Sequence, residues 1–101
     1  MGGKRNLETT ISYKGKLFKA VTTEGLARIV GKSKDSILRY ERTGVFPIAP
    51  FKLGTYRYYP KALAERLVPL VAKLPGHTKP SAELLAEIAL AFKEETLKCQ
   101  E

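Results

Sequence analysis

Residues 22–44, TTEGLARIVGKSKDSILRYERTG, decide the fold. Thr22 or Thr23 can cap a helix whose apolar residues are Leu26, Ala27, Ile29 and Val30. At the helical repeat these four fall on one side, with Glu24 and Arg28 opposite. Gly31 suits a left-handed C-cap, and only two residues later Ser33 can cap a second helix, Lys34 to about Thr43, closed by Gly44. Two short amphipathic helices joined by a tight glycine-containing turn make a helix-turn-helix.

The second helix divides cleanly. Ser33, Ser36, Ile37 and Tyr40 share one side with Glu41 at its edge, and can pack on the first helix. Lys34, Asp35, Leu38, Arg39 and Arg42 occupy the other side. A DNA major groove can use that set: Arg and Lys reach guanine acceptors, Asp accepts from cytosine, and Leu touches a thymine methyl. The competing reading makes Leu38 a core residue and Asp35–Arg39 an ordinary i,i+4 pair.

Working outward, Val45–Pro60 contains Pro47, Pro50, Gly54 and Pro60, and cannot be helical. Phe51–Leu53 and Tyr56–Tyr59 flank Gly54–Thr55, a type II′ hairpin signal. Lys52, Tyr56, Arg57 and Tyr58 on that ribbon, with Lys32 and Ser33 in the turn before the second helix, form the expected grip on DNA backbone. A period of two separates Tyr56 and Tyr58 from Arg57 and Tyr59, so one pair is expected inside. Tyr59, beside Pro60, can instead lock the hairpin onto the following helix. On the N-terminal side, residues 1–8 show no period and read as a flexible start. Thr9–Ala20 reads as another hairpin, turning at Lys14–Gly15. On the C-terminal side, Pro60 is expected in the first turn of a helix carrying Leu63, Leu67, Leu70, Val71 and Leu74, with Pro69 kinking or breaking it. A Pro/Gly loop, residues 75–80, precedes a last helix, Ser81 to Lys98, striped with Leu84, Leu85, Ile88, Ala91 and Phe92.

The composition agrees with a small soluble fold. The 101 residues are 44% apolar and 28% charged, with a formal net charge of +8. Residues 1–80 hold 16 Lys/Arg against 5 Asp/Glu, whereas residues 81–101 hold 2 against 5. A basic body with an acidic tail points to a polyanion: nucleic acid or an anionic membrane surface. No apolar run approaches the roughly 18 residues of a membrane span, and no apolar leader follows the N-terminal cations. Catalytic material is thin: His77 lies in the Pro/Gly loop, Cys99 is two residues from the end where fraying is expected, and no glycine-rich phosphate loop is present. Neither an enzyme nor a cofactor is expected, and one histidine with one cysteine cannot make a metal site or a disulfide.

The order of elements resembles the DNA-binding domain of the MerR family of regulators, over about 45 of the 101 residues, Thr23–Leu67. The matching motifs are Gly31-Lys32-Ser33, Ser36-Ile37, Tyr40-Glu41-Arg42, Gly44-Val45-Phe46-Pro47, and Gly54 followed by Tyr56-Arg57-Tyr58-Tyr59. Thr55 is an insertion relative to that pattern, Leu38 and Arg39 replace a basic and an aromatic residue, and Asp35 replaces an arginine. The resemblance implies a winged helix-turn-helix, a class that includes excisionases and small phage DNA-binding proteins.

The expectation is therefore an α+β, mostly helical chain: a flexible start (1–8), a winged helix-turn-helix (9–75), and a loop with a C-terminal helix (76–101). Its core is built from Leu26, Ile29, Val30, Ile37, Tyr40, Leu63 and Leu67. The expected function is sequence-specific binding of double-stranded DNA as a small cytoplasmic regulator, prokaryotic or phage-encoded and nucleoid-associated when bound, with no membrane partner. An excisionase-like or DNA-packaging architectural role is the alternative within the class. A protein-interaction adaptor using the acidic last helix is the alternative outside it. Ser81–Lys98 either joins copies into a homodimer or higher oligomer, or folds back to complete a thin core.

Overall fold

Thr22 ends a strand and starts a helix in one residue: its extended backbone closes the strand while its hydroxyl accepts from the Gly25 N–H at 3.1 Å. That junction organises the chain, seen here in a computed structural model that describes residues 8–76 and 78–100. The elements run β1 (Glu8–Tyr13), β2 (Lys16–Thr22), α1 (Thr23–Val30), α2 (Lys34–Thr43), β3 (Phe51–Leu53), β4 (Tyr56–Pro60), α3 (Lys61–Ala72) and α4 (Ala82–Gln100). The fold is α+β and about half helical, with four helices and one antiparallel sheet of order β1-β2-β4-β3.

Both expected hairpins are present, and the sheet joins them at their bases. Thr22 pairs with Tyr58, Val21 with Tyr59 and Ala20 with Pro60. In a flat sheet β1 and β3 would stand about 14 Å apart, at roughly 4.8 Å per strand. Instead Tyr13 of β1 meets Phe51 of β3 edge-on, with ring centroids 5.3 Å apart, and Phe18 reaches the same ring at 4.9 Å. The sheet is curled, and this face closes over Ile11, Ala20 and Phe51, all buried. Its other face sends Val21 and Tyr59 into the main core, where the helices supply Leu26, Ile37, Leu63, Leu67 and Val71.

Gly31 ends α1 with φ 75°, the left-handed conformation that costs glycine no side-chain clash. The turn is then short enough for Ser33 to cap α2, its hydroxyl accepting from Ser36 N–H at 3.1 Å. Of the expected core, Leu26, Val30, Ile37, Leu63 and Leu67 are buried, whereas Ile29 and Tyr40 are half-buried against it.

Several expectations need correction. Glu8 is part of β1, paired with Val21, and its carboxylate lies 3.3 Å from Lys61 Nζ; residues 1–7 lie outside the described residues. Pro60 ends β4 as the residue before α3, one position earlier than expected. Pro69 does not break α3, which continues to Ala72. In the last turn its missing N–H frees only the Glu65 carbonyl, on an exposed side of the helix, and Leu74 packs on the core from beyond the helix end. Cys99 is no frayed end: it is buried within α4, and burial pushes its thiol pKa up. His77 lies outside the described residues.

The last helix folds back. Ser81 caps it, accepting from Leu84 N–H at 3.1 Å. Leu84, Ile88, Ala91 and Phe92 then enter the main core and Leu85 is half-buried. Phe92 lies 5.4 Å from Phe46 and 6.4 Å from Tyr59, ring to ring. The stripe on which self-association was expected is thus occupied inside the chain. No helix among the described residues is long and apolar enough to cross a membrane.

Candidate functional site

The outer face of α2 is fixed by its inner face. Ile37 is fully buried, and Tyr40 packs on Phe46 at 5.1 Å while its carbonyl accepts from Phe46 N–H at 3.0 Å. With that side anchored, the 3.6-residue repeat leaves Lys34, Asp35, Arg39 and Arg42 exposed and Leu38 half-buried at the margin. Lys32 is exposed in the preceding turn. The Ser33 hydroxyl, expected on DNA backbone, is already engaged with Ser36 through its cap and a 3.0 Å hydroxyl contact.

The β3–β4 hairpin is held beside α2 by a carboxylate that sequence reasoning left at the helix edge. Glu41 Oε1 lies 3.0 Å from Arg57 Nε, and its Oε2 accepts from Ala49 N–H at 3.1 Å. One side chain of α2 thereby ties down both β4 and the loop leading to β3. Tyr59 adds a second tie. It is 1% exposed, its hydroxyl bonds the Thr23 side chain at the start of α1, and burial raises its pKa. Arg57 and Tyr59 are thus the inward pair and Tyr56 and Tyr58 the outward pair, with Tyr56 65% exposed and Tyr58 half-buried. Arg57 is accordingly a structural tie as well as a surface cation. No signal in the sequence pairs Glu41 with it, because the two are brought together only by the hairpin's return.

Between α2 and the hairpin runs an open cleft of about 480 Å³, lined by Lys34 and Leu38 on one side, Thr55, Tyr56, Arg57 and Tyr58 on the other, and Thr22–Glu24 at its floor. It brings together Lys34, Leu38, Tyr56, Arg57 and Tyr58 of the expected site. Lys32, Asp35, Arg39, Arg42 and Lys52 lie outside it on the surrounding surface.

Charge is distributed unevenly over this surface. Glu8 pairs with Lys19 and Lys61, Glu24 with Arg28, Glu41 with Arg57, and Glu94 and Glu95 with Arg66. Among the described residues Lys32, Lys34, Arg39, Arg42 and Lys52 form no such pair. Lys14, Lys73, Lys79 and Lys93 form no such pair either, so five of the nine unmatched cations among the described residues lie on α2, the turn before it and the β3–β4 hairpin. Among the described residues no group of His, Cys, Asp and Glu is placed to hold a metal ion. No protein-family model, curated protein or solved structure matches this chain.

Replacing Glu41 by Ala is expected to lower stability by about 1–3 kcal/mol, because two donors lose their acceptor in a partly buried site. For a domain of this size that corresponds to a fall of roughly 4–24 °C in melting temperature. A melting temperature equal to the parent's would show that the hairpin needs no tie from α2.

Proposed function

We propose that the chain is a sequence-specific double-stranded DNA-binding protein of the MerR-like winged helix-turn-helix class, acting as a small transcriptional regulator. The carrying observation is the unmatched cations Lys32, Lys34, Arg39, Arg42 and Lys52, gathered on α2, the turn before it and the adjoining hairpin. In this reading α2 is the recognition helix and β3–β4 the wing. A helix with its side chains is about 10–12 Å across, the width of the major groove. Arg39 and Arg42 then face base edges with Leu38 and Asp35 beside them. Lys34 faces the same groove from the first turn of α2, and the helix N-terminus beside it meets phosphate. Tyr58, Arg57 and Lys52 steady the wing against the backbone. For the adaptor alternative, the apolar stripe of α4 is already buried and Glu94 and Glu95 pair with Arg66, while Leu90 and Leu97 remain exposed on the same helix.

Salt dependence tests the class. If four to six phosphates are neutralised, log K should fall against log salt with a slope of about −4 to −5. Lys52→Ala should weaken binding to all duplexes alike and reduce the slope by about 1. Lys52 is the cleaner probe than Arg57, whose removal also releases Glu41. A slope near zero would contradict nucleic-acid binding.

A further inference from the structure

The tip of the β3–β4 hairpin carries an apolar pair that the fold does not use. Leu53 and Tyr56 are directly cross-strand, one on each side of the Gly54–Thr55 turn. They continue the face on which Phe51 is buried, yet Leu53 is 54% exposed and Tyr56 65%. Single exposed apolar residues are ordinary. A contiguous cross-strand pair at the end of a hairpin closed by two residues is less so, since it lies where contact with a partner is made first. Gly54, at φ 64°, keeps the turn tight and adds no side chain above the pair.

The surroundings indicate the partner. Lys52 precedes Leu53 in β3 on the opposite face, and the cleft separating Tyr56 from α2 is lined by Lys34 and Thr55, with Glu24 at its floor held by Arg28. With α2 in the major groove, that cleft takes the neighbouring sugar-phosphate strand, and the far side of the strand is the minor groove. The hairpin tip then arrives over the minor groove with the narrow Gly54–Thr55 turn in front and Leu53 and Tyr56 directly behind it. We infer that Leu53 and Tyr56 form an apolar wedge that enters the minor groove, unstacks one base step and bends the duplex. The inference rests on the DNA-binding reading above and adds a deformation to it. Aliphatic and aromatic wedges of this kind bend duplexes by about 20–90° and favour flexible pyrimidine–purine steps. The wedge would thus contribute sequence preference at a step that no hydrogen bond reads.

The test uses the full chain on a duplex obtained by selection from random sequence, with 2-aminopurine placed at successive steps beside the α2 half of the site. End-to-end energy transfer should report a bend of about 20° or more, and one step should brighten as it unstacks. Leu53→Ser with Tyr56→Ser should abolish both signals and leave the melting temperature of the free protein unchanged, because both side chains are exposed. Leu53→Phe should retain the bend. A parent complex that is straight, or a doubly substituted one that bends as strongly, overturns the wedge while leaving DNA binding intact. Failure of the parent to bind any duplex overturns both readings together.

Discussion

A chain ending at Gly76 is expected not to fold. The missing segment carries Leu84, Ile88 and Phe92, all buried in the main core, and Ala91 between them. Fully burying each large side chain contributes about 1.5–3 kcal/mol. Their joint loss of about 5–9 kcal/mol compares with a total stability of about 5–15 kcal/mol for a domain. The truncation also uncovers Phe46 and Tyr59, whose rings meet Phe92. Circular dichroism should show lost helix beyond the deleted residues and no cooperative melt. A truncated chain that melts cooperatively within a few degrees of the parent would mean that α4 is an accessory to a core complete without it.

The second large effect concerns specificity. Arg39→Ala or Arg42→Ala should relax the preference at one base position, by about 1–3 kcal/mol if a bidentate guanine contact is lost. In affinity for the preferred over the substituted site that is roughly 5- to 150-fold. Stability should be unmoved, since both side chains are exposed and neither pairs with an acid among the described residues. Uniform weakening on every duplex would instead place both arginines on phosphate and move base reading elsewhere on α2. Leu38→Ala separates its two readings: lost discrimination at a thymine assigns it to the groove, whereas a lowered melting temperature with unchanged discrimination assigns it to the core.

Local chemistry was legible and return contacts were not. Thr22, Gly31, Ser33 and Gly44 sit at helix ends because capping depends on neighbours within a few residues, and both hairpin turns are equally local. The division of α2 into an inner and an outer face followed from its period alone. What the sequence concealed depends on how distant segments meet. The curl that sets Tyr13 on Phe51 requires two hairpins to share one sheet. The Glu41–Arg57 tie requires β4 to return beside α2. The cost of Pro69 depends on its position within the helix, and its place in the last turn is fixed only by where α3 ends. The two fates of Ser81–Lys98 shared one apolar stripe, and only packing distinguishes a partner's core from the chain's own.

On the reading proposed above, α2 and its hairpin bind duplex DNA by sequence. Selection of the full chain against random duplexes at near-physiological salt tests it most directly. One motif should be enriched, and it should be lost from the selected pool when Arg39 and Arg42 are both replaced by Ala. A pool no more enriched than one carried through without protein would contradict that reading.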